Sequence, residues 1–334
     1  MSYSSENILP KETREKDLID FIKLLDYEYL GSWNGDELGK IKSFHWFNRK
    51  DYKSWYGVEL SVYEHGGQIR VETRTNISRS YYDLEHQNKT IRLIRKHFKG
   101  EFYTDEGKSR YLNVDTPAPE HSQSGCHLAF SAFGSNLIRV AQYIEARNFG
   151  TKKQEPTGVH WIDRTNPNLL SNILVLPFIA SIAEDYWKST YIALFKYCEN
   201  KEAILKSNRI SAERLAQISN NELSIEEAFA ESISFGRISM VCKHFKAIHK
   251  NLDFAGVLMK PYKRRKKTLF DSLEELTEIR NQIIHQASSP IMIDDDYIKE
   301  SYNILHDSIE RCYKFLTDEK GWYFDKTWHT GKMK

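Results

Sequence analysis

Apolar and polar positions divide this chain of 334 residues into two stretches of different character. Leu18, Ile19, Ile22 and Leu25 stand at helical spacing within residues 15–26, and the chain then changes at Gly31-Ser32-Trp33-Asn34-Gly35-Asp36 into a region of strands. Residues 40–47 and 56–63 are rich in aromatic and β-branched side chains. His65-Gly66-Gly67-Gln68 turns the second of these runs into residues 69–77, the pattern of a β-hairpin. Residues 82–98 place Leu84, Ile91, Leu93 and Ile94 as a helix does, Gly100 closes it, and residues 102–112 add strands. The polar start, residues 5–14, reads as a frayed tail. Residues 1–115 are therefore expected to form a small α+β domain, which ends in a polar stretch bearing Pro117 and Pro119.

A linker over residues 116–168 carries one helix, 133–147, and then a connection rich in Lys, Pro, Gly and Asn. Leu169 or Pro177 opens a helical domain over 169–334, whose first long helix runs to about residue 200. Ser224-Ile225-Glu226-Glu227 is a capping box for a helix that carries Phe229, Ile233, Val241, Phe245 and Ile248, with Gly236 as a bend. A further helix spans 268–287 and stops at Ser288-Ser289-Pro290. In the last helix, from about Tyr297, the residues Ile298, Tyr302, Leu305, Ile309, Cys312 and Leu316 follow strict four-three spacing. Such a stripe predicts packing in an up-and-down bundle, so the fold class is an α+β N-terminal domain followed by an all-α helical bundle.

Composition narrows the function classes. The chain is 40% hydrophobic and 28% charged with a mean hydropathy of −0.60, as ordinary globular proteins are. Its richest apolar run, 169–183, is interrupted by Ser171, Asn172 and Pro177 and followed by Glu184 and Asp185, so it reads as a core helix too short and broken to span a bilayer, and no membrane is expected as partner. Cys126, Cys198, Cys242 and Cys312 lie too far apart for a zinc ribbon or a disulfide framework. With no secretory pattern at the N-terminus, reduced thiols and a cytoplasmic location are expected. A net charge of +2 means that any surface for nucleic acid must be local. Trp33, Trp46 and Trp55 are assigned to the core of the first domain, or to a ligand-sensing surface.

The residues with most chemical promise lie in Ile279-Arg280-Asn281-Gln282-Ile283-Ile284-His285. Arginine is a permanent cation suited to phosphate, and histidine titrates near neutrality, so together they offer what phosphodiester cleavage needs. Spacing alone says little, because Arg79 with His86, Arg92 with His97 and Arg237 with His244 repeat it. Helical geometry says more: Leu269, Leu273, Leu276, Arg280, Ile283 and Ala287 fall on one stripe, which puts a guanidinium at a core position. There it must meet a carboxylate, another subunit or a phosphate. Asn281 stands one turn from His285 and can orient the imidazole, while His285 lies roughly 140° around the helix from Arg280. The purely structural alternative pairs Arg280 with a buried acid such as Glu184 or Asp185 and leaves His285 to satisfy a helix end.

Arg280-Asn281-x-x-x-His285 resembles the R-N-x-x-x-H signature of the HEPN superfamily, compact helical bundles many of whose members are metal-independent RNases. The resemblance covers about residues 169–320. It extends to placement, with a long apolar first helix bearing an acid (Glu184, Asp185) and one closing helix after the motif, although Arg280 falls past the middle of its helix rather than near the start. The resemblance implies a homodimer through the bundle, with both motifs lining a shared cleft and no cofactor or metal. Arg280 would bind the scissile phosphate, Asn281 would position, and His285 would act as acid, base or phosphate ligand when a ribose 2′-OH attacks phosphorus. An endoribonuclease of this kind implies a toxin or antiviral defence effector restrained by an inhibitory antitoxin or a sensor partner. The alternative is a non-catalytic RNA- or nucleotide-binding dimerisation module.

Directly before the motif helix, Tyr262, Lys263, Arg264, Arg265, Lys266 and Lys267 form the sharpest basic cluster, expected to track RNA phosphates while Tyr262 stacks on a base. Asp294-Asp295-Asp296 is read as favourable charge at a helix N-terminus. Glu59, Glu64 and Glu72 with Arg74 are set aside as a metal-dependent nuclease strand because the lysine expected after the last acid is missing, and Cys126-His127 has no further ligands at metal spacing.

Overall fold

The structure, a computed structural model, describes residues 2–35, 38–114, 116–148, 157, 163, 166–207, 209–286, 292–324 and 332–333. The chain divides into two compact units, Met1–Ser124 and Gly125–Lys334. Most of the connection expected over 148–167 lies outside the described residues, as do Asp36, Asp115, Ala287 and the stop at Ser288-Ser289-Pro290.

The first unit is an antiparallel sheet covered by two helices. Its strands are β1 (Tyr3–Ile8), β2 (Glu28–Gly35), β3 (Gly39–Trp46), β4 (Val58–His65), β5 (Gln68–Thr75), β6 (Glu101–Thr104) and β7 (Gly107–Lys108), in the order β2-β3-β4-β5-β1-β6-β7. Leu18 and Ile22 of α1 (Glu15–Leu24) and Ile94 of α2 (Tyr81–Phe98) share a core with Phe44, Trp46, Val58, Leu60, Val62 and Val71 of the sheet. The alternation of buried Val58, Leu60 and Val62 is what a strand with one covered face requires. His65 pairs with Gln68 across Gly66 and Gly67, whose φ values of 62° and 71° are the left-handed pair that a two-residue hairpin turn needs. A capping box of Ser80 and Asp83 starts α2, and the Asp83 carboxylate also accepts the N–H groups of Trp55, Tyr56 and Gly57, tying the loop before β4 to the helix.

Three expectations are corrected here. Residues 3–8 are not a tail: β1 lies inside the sheet, paired with β5 on one side and β6 on the other. Its inward residues are the polar Ser5 and Asn7, and Ser5 Oγ meets Thr73 Oγ1 at 2.6 Å, so hydrogen bonding rather than apolar burial holds it. The stretch from Gly31 does not lead into the strands but is part of one, the outer strand β2 that starts at Glu28, exposed along nearly its whole length and so without a burial pattern to betray it. Trp33 on that strand is 56% exposed, donating Nε1–H to Ser43 at 3.2 Å, and Trp55 is only partly covered; Trp46 is the tryptophan in the core.

The second unit is mainly helical. It comprises α3 (His121–Asn148, whose first turn belongs to the first unit), α4 (Pro167–Lys196), α5 (Lys201–Lys206), α6 (Ala212–Ser219), α7 (Ile225–Glu231), α8 (Ile238–Ile248), α9 (Phe254–Leu258), α10 (Leu269–Gln286) and α11 (Asp295–Lys320). Helix α4 packs against α7, α8, α10 and α11, burying Tyr186, Trp187, Tyr191, Leu194 and Phe195. All six residues of the four-three stripe on α11 are buried. Arg147 of α3 donates to Asp295 at 2.6 Å and to Asn172 at 2.8 Å, joining the start of α11 to α3 and α4. Asp294 caps α11 through the Tyr297 N–H at 2.8 Å.

Pro177 does not break the apolar run. Helix α4 continues through it because Leu176, Ile179, Ala180 and Ile182 on either side are buried, which offsets the lost backbone bond. By length and composition α4 could cross a membrane, yet its C-terminal half is the core of this unit, while Leu170, Leu174 and Phe178 on its N-terminal half are exposed. Helix α3 begins at His121 rather than near 133, since Ser122, Ser124, Cys126 and His127 are small or polar side chains that are nonetheless buried. Gly236 does not bend one helix: α7 and α8 are separate, and the glycine sits in the loop between them.

Candidate functional site

Helix α10 is started by Thr268, whose N–H and hydroxyl reach Asp271 Oδ2 at 3.1 and 2.7 Å while its oxygen accepts the Asp271 N–H at 3.1 Å. Leu269, Leu273, Leu276, Ile279 and Ile283 are its buried residues. The core stripe keeps the expected Leu269, Leu273, Leu276 and Ile283, but Ile279 takes the inner place expected of Arg280, which lies at the margin with its side chain 21% exposed. A marginal position lets the aliphatic stem cover apolar surface while the guanidinium keeps contact with water.

That guanidinium is held from two sides. Nη2 lies 3.1 Å from Glu184 Oε1 and 3.3 Å from Oε2, and Nη1 donates to Asn281 Oδ1 at 3.0 Å, while Nε is buried with no partner among the described residues. Asn281 therefore orients Arg280, not the imidazole as its spacing had suggested. Of the two acids on α4, Glu184 is half-covered and takes the arginine, whereas Asp185 is exposed and takes no part in the pair. A recess of about 30 Å³ beside this pair is lined by Trp187, Phe235, Gly236, Leu276 and Thr277 among others. Gly236 matters to it: a Cβ there would stand 3.1 Å from Glu184 Oε1. Thr277 fixes the same loop by donating to the Gly236 carbonyl at 3.0 Å. His285 is exposed, one turn past Asn281 and about 7.5 Å along the axis from Arg280. One chain thus presents a held arginine and a separate, open histidine.

The basic loop before α10 is more occupied than its sequence suggests. Tyr262 is 5% exposed and donates its hydroxyl to Asp307, so its ring packs and is not free to stack on a base. Burial and the Asp307 carboxylate push its phenol up to about 12. Lys263 lies 3.4 Å from Asp307, Arg265 pairs with Glu300, and Lys267 pairs with Glu275 at 2.8 Å. Arg264 and Lys266 are exposed and have no ion pair among the described residues. Arg311 donates to the Lys260 carbonyl at 3.2 Å and pins the start of the loop.

Asp307 is an anchor that no pattern in the chain announces. Its carboxylate also accepts from Lys332 at 2.8 and 3.0 Å and from His306 Nδ1 at 3.2 Å. Burial alone would raise its pKa, but the hydrogen bonds from His306, Lys332 and Tyr262 outweigh burial and hold it well below the usual carboxylate range. His306, Asp307 and Glu310 offer ligand atoms within 4.8 Å of one another, and the Lys332 and Lys263 ammonium groups supply positive charge beside Asp307. The four cysteines are free thiols, and burial raises all of them. Of the other arginine and histidine pairs, His86 is buried against Trp46, His97 packs on Phe21, and His244 meets the Ser234 carbonyl at 3.1 Å, so each histidine has a packing role. Comparison of the chain with protein-family models, with curated proteins and with solved structures finds no match.

Proposed function

We propose that the second unit is a HEPN-type endoribonuclease that cuts RNA without a metal and works as a homodimer. The observation that carries this reading is the cluster of Glu184, Arg280 and Asn281 at the margin of α4 and α10, with His285 open to solvent one turn further on. Glu184 and Asn281 fix the guanidinium so that its charge is directed before substrate arrives, which is how preorganised cations stabilise a transition state. Arg280 holds the scissile phosphate and His285 transfers a proton as the neighbouring 2′-OH attacks phosphorus and the P–O5′ bond breaks, giving a 2′,3′-cyclic phosphate and a released 5′-hydroxyl. Because the two side chains diverge around α10, the shared cleft is completed by a second copy. Support for pairing comes from Leu170, Leu174 and Phe178, exposed at one-turn intervals on α4, and from exposed Ile284 beside the motif. In the cell such an activity serves as a toxin or antiviral effector, restrained by an antitoxin or sensor partner.

A second reading keeps the bundle as a non-catalytic RNA-binding or dimerisation module, favoured by the fact that both terminal nitrogens of Arg280 are already engaged. Incubation of the purified protein with labelled RNA in EDTA separates the two. Cleavage that spares DNA, yields cyclic phosphate ends and disappears in His285→Ala supports the enzyme, and binding without cleavage supports the module. Equal tolerance by cells of wild type, Arg280→Ala and His285→Ala, with no partner present, would refute the toxin role.

A further inference from the structure

A second cleft, of about 470 Å³, opens between α10 and α11 at the end of the basic loop. This is within the range of roughly 300–1,000 Å³ in which small ligands are bound. Leu276 and Ile304 are its apolar part, the half-buried ring of Tyr297 is a wall, and Ser272, whose hydroxyl donates to the Thr268 carbonyl at 2.9 Å, and Ser301, hydrogen-bonded to Tyr297, complete the lining. Arg265, Lys266 and Lys267 stand at the mouth with Glu275 and Glu300.

The chemistry of that lining selects a ligand. A flat apolar body fits against Tyr297, Leu276 and Ile304, but a wholly apolar ligand would leave the charged mouth unmatched. Three cations against two carboxylates leave one net positive charge, which suits one phosphodiester and not a polyphosphate. Lys267 and Arg265 already face Glu275 and Glu300, so Lys266 is the cation available to meet a phosphate first. The carboxylates in turn can accept from amino groups of a base or from ribose hydroxyls. Leu276 lines both this cleft and the recess beside Arg280, and it lies one turn, about 6 Å, before that arginine along α10.

We propose that the cleft between α10 and α11 binds one nucleotide of single-stranded RNA, with its base against Tyr297, Leu276 and Ile304 and its phosphodiester on Lys266. The proposal builds on the RNA-cleavage reading and names the place where the strand is anchored. It also relocates base stacking from Tyr262, which is buried, to Tyr297.

The test uses the full chain carrying Arg280→Ala and His285→Ala, so that binding is read without cleavage, and a fluorescein-labelled adenosine hexanucleotide followed by fluorescence anisotropy. Lys266→Glu and Tyr297→Leu are each expected to weaken binding about tenfold, the size of one lost stacking or phosphate contact. Tyr297→Phe, which keeps the ring, should bind as the parent does, and Lys206→Glu, a charge reversal on α5, should change little. Thermal melting of each variant shows whether it is folded. Unaltered affinity in Lys266→Glu and Tyr297→Leu, or equal weakening by Lys206→Glu, overturns the proposal. So does adenosine monophosphate displacing the hexanucleotide at equal concentration, which would make a free nucleotide the occupant. Wild-type cleavage is measured separately: cleavage untouched by Lys266→Glu and Tyr297→Leu sinks the cleft alone, and cleft-dependent binding with no wild-type cleavage sinks the enzyme reading alone.

Discussion

Replacing Arg280 by alanine divides a reaction site from a structural ion pair, and the geometry sets the size of each effect. The side chain makes contacts of 3.1 and 3.3 Å to Glu184 and 3.0 Å to Asn281, but the two charged partners are 21% and 32% exposed. A fully exposed pair contributes about 0–1 kcal/mol, and stranding one member of a fully buried pair costs about 3–5 kcal/mol. The partial exposure of both groups puts Arg280→Ala between these limits, at about 1–2 kcal/mol. For a unit of about 200 residues that is a fall in Tm of roughly 2–8 °C, read by circular dichroism. RNA cleavage should fall far more, by about 10²–10³-fold, since the lost cation faces charge that develops only in the transition state. Arg280→Lys should keep most of the stability and recover little of the activity, because an ammonium cannot span Glu184 and Asn281 as a planar fork does. A fall in Tm well beyond 10 °C, or insoluble protein, would make the arginine a structural element. A well-folded variant that cuts RNA at the wild-type rate would remove it from the reaction.

Tyr262→Phe deletes a buried donor to Asp307 and should lower stability by about 1–2 kcal/mol in urea unfolding. Asp307 is held below its unfolded pKa of about 4, so its contribution is present above that pH and is lost as pH falls through the folded value; the advantage of wild type over Asp307→Asn should shrink below about pH 4. His86 has the same linkage sense in a higher pH window: burial and then Lys89 lower it to about 3, so the unfolded chain takes up a proton that the folded unit refuses. The first unit should lose stability as pH falls from about 6.5, and His86→Phe should flatten that dependence in melts taken at pH 7 and pH 5. Gly57→Ala, with φ +81° and a Cβ only 2.2 Å from the Trp46 carbonyl oxygen, should cost at least about 3 kcal/mol, whereas Gly66→Ala, with φ +62° and open space, should cost about 1 kcal/mol.

What could be read from sequence follows the kind of burial each element uses. The stripe of α11 and the Gly66-Gly67 hairpin were legible because apolar periodicity and positive φ leave compositional marks. Strand β1 was not, since its buried residues are Ser5 and Asn7, and β2 was not, since almost nothing on it is buried. At the candidate site, the helix, the arginine and Glu184 were legible, but not the choice of Glu184 over Asp185. The two acids stand about 100° apart, but α4 buries residues on several faces, so no single apolar stripe tells which acid turns toward α10. Nor could the basic run show that Tyr262 and Lys263 are tied to Asp307, 45 and 44 positions away, because such a contact exists only once α11 has docked.

The interior place of β1 has a consequence for how the first unit is made. Tyr3–Ile8 is paired with Gln68–Thr75 and with Glu101–Thr104, so the segment that precedes every other strand must wait for partners translated far behind it. At roughly 5–20 residues per second it leaves the ribosome several seconds before the second of them. Through that interval β4 and β5 can close their hairpin and β1 can pair with β5, but the other edge of β1, to which β6 later adds, stays open. A chaperone or an extended peptide that reaches this edge first would compete with β6.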